Sequence, residues 1–203
     1  MIDSQQSYGV LQLVINRPEK KNALTRDMYQ QLSRALNRAN GDETVNAIVI
    51  SGAGGVFTAG NDLDDFRARA TDEHPKPSAG LAFIKALMDC VEGLAIGIGT
   101  TLLLHVDVVV AAESAKFKTA FVDLGLVPEA ASTVTMPLHL GARKATDLLL
   151  LGDVISGSDA RDCGLASRLV GDGQALSEAL VIAGNLASKP REALRASKRL
   201  IRA

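Results

Sequence analysis

The sequence predicts an α/β domain, and three successive segments near its start carry that prediction. Residues 10–16 place Leu11, Leu13 and Ile15 on one side, which is the period of a half-buried strand. Residues 47–51 (AIVIS) are apolar up to their last position, as in a short strand buried on both faces. Apolar side chains recur at helical spacing between these two segments. The order strand, helix, strand favours a parallel sheet with crossover helices.

The helix between these strands has its own start and stop signals. Thr25 can cap its N-terminus, and Gly41 can end it. Its apolar face is predicted to carry Met28, Leu32, Ala35, Leu36 and Ala39.

The rest of the chain predicts mainly helix. Residues 69–78 lack an apolar period and predict a loop, whereas residues 106–112 predict a strand. Helices are predicted at residues 81–90, 100–105, 142–151, 158–163, 174–187 and 191–201. We expect one domain over residues 1–203, with a core spiral to about residue 140 and a helical part over residues 141–203.

Composition excludes several classes of function. The 22 basic and 23 acidic residues give a net charge of -1, so no overall basic field predicts binding to nucleic acid or to a membrane. No apolar run reaches the roughly 18 residues that a membrane span needs. We expect a soluble, cytoplasmic protein.

The cysteines and histidines predict neither a disulfide framework nor a metal site. Cys90 and Cys163 are expected to be two buried thiols in a reducing compartment. His74, His105 and His139 are scattered and lack a clustered acidic partner, so we expect no bound metal.

Two glycine-bearing turns are candidates for a binding site. They are FTAGNDLDDF at residues 57–66 and GLAIGIGTTLLL at residues 93–104. Glycine next to a helix start allows close backbone approach and leaves N–H groups unpaired, which suits a developing oxyanion. Each turn taken alone is better explained as a tight connection, because a lone glycine pattern is common. Neither turn has the glycine spacing of a dinucleotide fingerprint or of a phosphate-binding P-loop.

Glu129 lies in a third candidate stretch, FVDLGLVPEAAS at residues 121–132. A carboxyl group that follows a proline in apolar surroundings should be partly desolvated, which would raise its pKa towards neutrality. Such a base could remove a proton from a weak carbon acid. The alternative is a surface glutamate in the first turn of a helix, stabilised by the helix dipole.

Taken together and in this order, these stretches resemble the crotonase, or enoyl-CoA hydratase/isomerase, superfamily. INRPEKKNALTRDMYQQL is similar to the opening strand and helix of the family, and ISGSDARDCGLASRLV to a late helix and strand. The resemblance covers almost the whole chain. It implies a crotonase-like ββα superhelix with a helical C-terminal region. It also implies a homotrimer or a dimer of trimers that acts on an acyl-CoA thioester, without a cofactor beyond the CoA of the substrate.

The resemblance also implies roles for individual residues. The backbone N–H groups of Asn61 and Ile98 would form an oxyanion hole for the thioester carbonyl. Residues along the CoA moiety would be Lys20, Lys21, Ala23, Ala59, Asp62 and Leu63. The acyl pocket would be walled by Phe66, Phe121 and Leu126, although each of these could equally be ordinary core.

The positions of the carboxylates decide which reaction the resemblance implies. Hydratases of the superfamily carry two glutamates at the places that Thr101 and Phe121 occupy here, and neither of these side chains can relay a proton near neutral pH. GNDLDDF with LGLVPEA instead resembles the Δ3,Δ2-enoyl-CoA isomerases, in which one glutamate at the position of Glu129 shuttles the proton. The alternatives are a hydratase or other crotonase-type reaction, and a non-catalytic acyl-CoA-binding member.

The sequence departs from the family pattern in three places. Family members have a buried strand directly before the segment that begins at Val91, whereas the predicted helix over residues 81–90 leaves no room for one. We therefore expect residues to be missing there, or the local fold to be altered, and favour the first. The chain ends at Ala203, before the further helices expected from the family. Ala131 stands where the isomerase pattern favours glycine, which could narrow the acyl pocket.

Overall fold

A six-stranded sheet forms the centre of the molecule. The computed structural model describes residues 1–65 and 86–202. The strands lie in the order β1 (Ile2–Ser7), β2 (Val10–Ile15), β3 (Ala47–Gly52), β4 (Ala86–Val91), β6 (Val108–Ala112) and β9 (Arg168–Val170). β1 pairs antiparallel with β2, and every other pair in this sheet is parallel.

A smaller second sheet lies beside the first. It consists of β5 (Leu94–Ile96), β7 (Lys116–Lys118) and β8 (Ile155–Ser156). β5 follows β4 directly along the chain, and β7 follows β6, so the chain steps from the large sheet to the small one and back. An isolated bridge between Thr58 and Ala95 extends the small sheet to the first glycine turn. Both candidate turns therefore lie against the same layer.

Helices cover the sheets on both sides. They are α1 (Arg26–Gly41), α2 (Ile98–Thr101), α3 (Ser132–Leu140), α4 (Ala142–Thr146), α5 (Gly157–Asp162), α6 (Ala175–Ala187) and α7 (Arg191–Ile201). A 3-10 turn, Leu102–His105, continues α2, and a π-helical turn, Asp147–Leu151, continues α4. Within residues 1–65 and 86–202 no helix is long and apolar enough to cross a membrane.

The core has two parts, one on each face of the large sheet. On one face Met28, Leu32 and Leu36 of α1 pack in a cluster that includes Leu13 and Ile15 of β2. On the other face α6 presents alanines, which let the helix approach closely: Ala175, Ala179 and Ala183 are fully buried in a cluster with Val49 and Met88. Two-sided burial of this kind is what the apolar β3 segment predicted.

The prediction of a helix over residues 81–90 is wrong from residue 86 onward. Residues 86–91 form β4, which pairs in parallel with β3 and β6 and supplies the strand that the sequence was expected to lack. Leu87 and Val91 are buried on one face of the sheet, and Met88 and Cys90 on the other. Local spacing favoured a helix, but the slot between two parallel strands exposes backbone N–H and C=O groups that only a strand can pair. Residues 81–85 lie outside the described part of the chain.

Of the remaining sequence predictions, some are confirmed, and several elements of the structure were not predicted. The mixed α/β class is confirmed, as is the cap of α1, where the Thr25 hydroxyl accepts from the Met28 amide at 3.3 Å. α7 begins and ends where the spacing predicted. The strands of the small sheet were not predicted, because two or three residues carry too little periodicity. β1 and α3 were also not predicted, since the β1 sequence IDSQQS is mostly polar and α3 contains Pro137. The predicted loop at residues 69–78 lies outside the described residues.

Candidate active site

The first glycine turn is fixed to its neighbours by backbone hydrogen bonds. The Leu24 amide donates to the Gly60 carbonyl at 2.8 Å, and the Asp62 amide donates to the Leu24 carbonyl at 2.9 Å. In such a parallel bridge the residue between the two partners directs its own N–H to the opposite side. No hydrogen-bond acceptor meets the Asn61 amide within residues 1–65 and 86–202. That amide is thus placed to bind an external oxygen.

Asn22 holds the base of the same turn, and the sequence analysis did not identify it. Its buried amide nitrogen donates to the carbonyls of Ala53 at 2.8 Å and Val56 at 2.6 Å. The backbone carbonyl of Asn22 accepts from the Thr58 hydroxyl at 2.7 Å. The positive φ of 57° at Asn22 is a conformation that asparagine tolerates better than most residues. The only sequence signal that could have identified this role is the occurrence of an asparagine next to a predicted turn.

The second glycine turn starts a helix against the first. Gly97 has a φ of 59°, and its carbonyl accepts from the amides of Thr100 and Thr101. Ile98, the first residue of α2, keeps its N–H outside this pattern, and in the described chain no acceptor meets it. It is one of the unpaired donors of a helix start, where the backbone dipoles favour negative charge.

The two turns touch through glycine. A β-carbon on Gly60 would lie 2.7 Å from the Ile96 carbonyl oxygen and 3.9 Å from the Gly97 α-carbon. Gly60 also has a φ of 94°, which L-residues rarely adopt. Only glycine allows this approach, which brings the segments that carry the Asn61 and Ile98 amides side by side.

Glu129 joins this pair of turns through a side-chain hydrogen bond. The Asn61 Nδ2 atom donates to the Glu129 Oε1 atom at 3.1 Å, across 68 residues of sequence. Glu129 is half-buried and lies before α3, which starts only at Ser132. The alternative of a glutamate in the first turn of a helix is therefore wrong. One carboxylate and two unpaired amides now lie in one region.

Three contacts hold the backbone around Glu129. The Ser132 amide and hydroxyl both donate to the Glu129 carbonyl, at 3.1 and 2.7 Å. The His105 Nε2 atom donates to the Ala130 carbonyl at 2.7 Å, because a carbonyl can only accept. His105 follows α2 in the chain, so it connects the second turn to the glutamate segment. This contact of His105 was not predicted from the sequence.

Tyr29 completes a chain of hydrogen bonds that the sequence did not reveal. Its hydroxyl on α1 donates to the Asn61 Oδ1 atom at 2.6 Å. Tyr29, Asn61 and Glu129 are separated by 32 and 68 residues, so no local pattern could link them.

The carboxylate of Asp62 supports the first turn itself. Its pKa is lowered, first by a hydrogen bond from the Asp65 amide and then by the Arg17 side chain, whose Nη1 atom lies 2.7 Å away. Asp62 therefore remains ionised, with Arg17 on one side and a helix start at residues 63–65 on the other. Its predicted place along the CoA moiety stays a prediction.

The other predicted CoA contacts cluster around the same turn. Lys20 and Lys21 are exposed, and the Ala59 amide donates to the Lys21 carbonyl at 2.9 Å. Ala23 is half-buried and Leu63 is 55% exposed, so an extended ligand could reach both. The binding roles of these residues stay predictions.

The two positions expected for hydratase acids are buried. Thr101 is fully buried in α2, and Phe121 is also buried. Leu126 is half-buried, with its amide donating to the Phe121 carbonyl at 2.8 Å. Phe66, the third predicted wall of the acyl pocket, lies outside the described residues.

No cluster of metal-ligating residues was found in the part of the chain that the structure describes. Cys90 is buried, and Cys163 is half-buried rather than buried as expected. Burial in β4, aided by the neighbouring carboxyl groups of Asp89 and Glu92, raises the pKa of the Cys90 thiol to about 12. That thiol is therefore not a nucleophile.

Comparison with known proteins places this geometry in a family. A family model described as "Enoyl-CoA hydratase/isomerase" matches residues 5–203. The chain is 35% identical over 196 residues to 1,2-epoxyphenylacetyl-CoA isomerase of Escherichia coli, covering 90% of this chain and 74% of that protein. It is 36% identical over 199 residues to 2,3-dehydroadipyl-CoA hydratase of Escherichia coli, covering 95% and 78%.

A third relative is longer. The chain is 35% identical over 205 residues to enoyl-CoA delta isomerase 2 of Rattus norvegicus, covering 96% of this chain but 52% of that protein. The chain thus spans about half the length of that relative.

Solved structures agree closely with the fold. An enoyl-CoA hydratase/isomerase from Pseudoalteromonas atlantica superposes with a TM-score of 0.93 at 41% identity, covering 99% of this chain and 82% of that one. An enoyl-CoA hydratase from Mycobacterium avium superposes with a TM-score of 0.89 at 30% identity, covering 98% and 88%.

Proposed function

This chain belongs to the enoyl-CoA hydratase/isomerase family, and from that premise we propose that it shifts the double bond of a 3-enoyl-CoA to give the 2-enoyl-CoA. The observation that carries the proposal is the hydrogen bond between Asn61 and Glu129, which brings the Glu129 carboxylate to two adjacent turns with unpaired backbone amides.

The proposed oxyanion hole uses the N–H groups of Asn61 and Ile98. Removal of a proton from C2 moves negative charge onto the thioester oxygen, and two fixed N–H donors stabilise that charge without having to reorganise. The close contact of Gly60 with Ile96 and Gly97 supports this pairing. Ile98 adds the field of a helix start.

Glu129 is the proposed acid/base. It takes the proton from C2 of the 3-enoyl thioester, which gives a dienolate, and the same carboxyl returns the proton to C4, which gives the conjugated product. One group suffices because nothing is added to or lost from the substrate. The Asn61 amide donates to this carboxylate at 3.1 Å, which holds it beside the first glycine turn.

Hydration of a 2-enoyl-CoA is the second candidate, supported by the 36% identity to 2,3-dehydroadipyl-CoA hydratase. Adding water across a double bond requires a base for the water and an acid for the carbon. Thr101 and Phe121 are buried and supply neither function. Asp62 is bound to Arg17 within the turn. We therefore favour isomerisation. An acyl-CoA-binding protein without turnover remains the third alternative.

Glu129→Gln tests the proposal. The amide keeps the size of the side chain but cannot take a proton, so we expect kcat for 3-enoyl-CoA to fall by about 10²- to 10⁴-fold. The assay follows the ultraviolet absorbance of the conjugated thioester, starting from 3-cis and 3-trans substrates of graded chain length. Binding of CoA, measured by calorimetry, should be unchanged.

Glu43→Gln is the matched control, because Glu43 is exposed in the connection between α1 and β3. Wild-type turnover in the Glu129 variant would overturn the assignment of the base. Faster loss of absorbance from a 2-enoyl-CoA than gain from any 3-enoyl-CoA would favour the hydratase. CoA binding without either reaction would favour the non-catalytic alternative.

A further inference from the structure

We infer that Tyr29 is a positioning residue that fixes the orientation of the Asn61 side chain and, through it, of the Glu129 carboxylate. The inference rests on the proposed function for the role of Glu129. The three side chains form one continuous chain of hydrogen bonds, from the Tyr29 hydroxyl to Asn61 at 2.6 Å and from Asn61 to Glu129 at 3.1 Å.

The direction of this chain follows from the chemistry of its end. An ionised carboxylate can only accept hydrogen bonds, so Asn61 must turn its NH₂ group towards Glu129. Its carbonyl oxygen then faces Tyr29. That oxygen can only accept, so the tyrosine hydroxyl must donate. Each link therefore has one possible polarity, and Tyr29 supplies the donor that makes the polarity complete.

Removing the hydroxyl weakens the preference between the two orientations of the Asn61 amide, because only the contact with Glu129 then distinguishes them. A primary amide can rotate by 180° with little change in shape, and the flipped form would direct the Asn61 oxygen at the carboxylate oxygen of Glu129. With Tyr29 in place, the flipped form would also direct the Asn61 NH₂ group at the Tyr29 hydroxyl. The hydroxyl oxygen would then have to accept a hydrogen bond from Asn61 and could no longer donate one to it. The hydroxyl thus reinforces the orientation in which Asn61 donates to the Glu129 carboxylate.

The position of Tyr29 suits such a role. It lies on α1, in the same turn as Met28, which is buried in the core. Its backbone amide donates to the Thr25 carbonyl at 3.0 Å, in the capped first turn of the helix. A rigid element thereby supplies the anchor, and the glycine turn that carries Asn61 receives it.

Tyr29→Phe tests the inference, because it deletes the donor and keeps the ring. We expect kcat to fall about three- to tenfold, with KM for the acyl-CoA changed less than twofold. A residue with a purely structural role would lower the stability of the protein without separating the effect on kcat from the effect on KM.

The second tyrosine provides a matched control. Tyr8 is 98% exposed, so Tyr8→Phe makes the same chemical change where the hydroxyl contacts solvent. It should leave kcat and KM as in the wild type. Asn61→Ala, which keeps the backbone N–H, should reduce kcat further than Tyr29→Phe.

The double variant identifies the route of the effect. If Tyr29 acts through Asn61, adding Tyr29→Phe to Asn61→Ala should change kcat by less than twofold, because the link is already broken. Independent, multiplicative effects would overturn the inference, and so would an unchanged kcat in Tyr29→Phe alone.

A spectroscopic readout separates this inference from the proposed function. In ¹⁵N-labelled protein without substrate, the side-chain NH₂ resonances of Asn61, identified by their loss in Asn61→Ala, should shift in Tyr29→Phe and stay unshifted in Tyr8→Phe. This holds even if no 3-enoyl-CoA is converted, in which case the proposed function alone has failed. Unshifted NH₂ resonances in Tyr29→Phe would overturn the Tyr29 inference.

Discussion

At the scale of residues, this protein buries an ionisable side chain in its central sheet. This residue is Asp89, which is fully buried in β4 between Ile50 of β3 and Val109 of β6. Among the described residues neither carboxyl oxygen of Asp89 has a hydrogen-bond partner. Burial alone raises its pKa to about 8. The carboxyl group is consequently held neutral in the folded protein at pH values where the unfolded chain would ionise it.

Asp89 should make the stability of the protein fall as pH rises. Between about pH 4 and pH 8 the folded state keeps the proton and the unfolded state releases it, so the free energy of unfolding declines by up to about 1.4 kcal/mol per pH unit. The effect is absent below this window and levels off above it. We expect Asp89→Asn to remove this component, as measured by urea unfolding at pH 5 and pH 8.

Asp89→Ala, which also lacks a titrating group, serves as the comparison for Asp89→Asn. Both variants should gain stability relative to the wild type at pH 8 more than at pH 5. The same pH slope in all three proteins would contradict the assignment of the slope to Asp89.

At the scale of elements, the connections between helices and strands carry the site. Glu129 is followed by Ala130 and Ala131, which have φ values of 54° and 53°, and α3 begins directly afterwards. Two consecutive left-handed alanines are strained, because the β-carbon crowds the next carbonyl. Ser132 and His105 hold this segment in place through the backbone. The strained connection thus keeps the glutamate ahead of the helix rather than within it.

Ala131→Gly should relieve part of this strain. The left-handed conformation costs about 1–2 kcal/mol with a β-carbon, and the added flexibility of glycine in the unfolded chain offsets about 0.5–1 kcal/mol. We expect the free energy of unfolding to rise by up to about 1 kcal/mol in denaturant titration.

Ala193→Gly offers the matched comparison, because Ala193 is exposed within the regular helix α7. There the same substitution should lower stability by about 0.5–1 kcal/mol. Equal losses in the two variants would show that residue 131 is not strained.

At the scale of the whole molecule, the crotonase-like ββα superhelix expected from the resemblance is confirmed by the structural matches. Its last helix is joined to its central strands through Asp107. The Asp107 carboxylate accepts from the Leu87 amide at 2.8 Å, from Lys198 at 2.6 Å and from Arg202 at 2.8 Å. Burial lowers the pKa of Lys198, and the bond to Asp107 opposes that effect. Asp107 therefore links β4, through Leu87, to the C-terminal end of α7, through Lys198 and Arg202.

Asp107→Ala should destabilise the protein by about 3 kcal/mol, because it removes the ion pair of a largely buried lysine and leaves a strand amide without its acceptor. Chemical denaturation measures this loss. Lys198→Met, which replaces the cation by an apolar chain of similar length, should cost much less.

Asp123→Ala is a useful control, since its ion pair with Lys118 is more exposed and should contribute at most about 1 kcal/mol. If Asp107→Ala were as mild as Asp123→Ala, the attachment of α7 would not depend on this carboxylate.

The sequence by itself determined the features that follow from local physics. Side-chain periodicity predicted β2, β3, α1 and α7, the Thr25 hydroxyl predicted the start of α1, and the glycine turns and Glu129 stood out as candidate chemistry. The resemblance of the quoted stretches then indicated the family, which the comparisons confirm. All of these signals lie within short stretches of the chain.

Only the tertiary structure decided which of these stretches meet. It made residues 86–91 a strand, because the slot between β3 and β6 requires backbone pairing that local helical spacing cannot override. It also joined Tyr29, Asn61 and Glu129, whose hydrogen bonds span 32 and 68 residues. Contacts at such separations depend on how the sheets stack, and no local pattern of side chains encodes that arrangement.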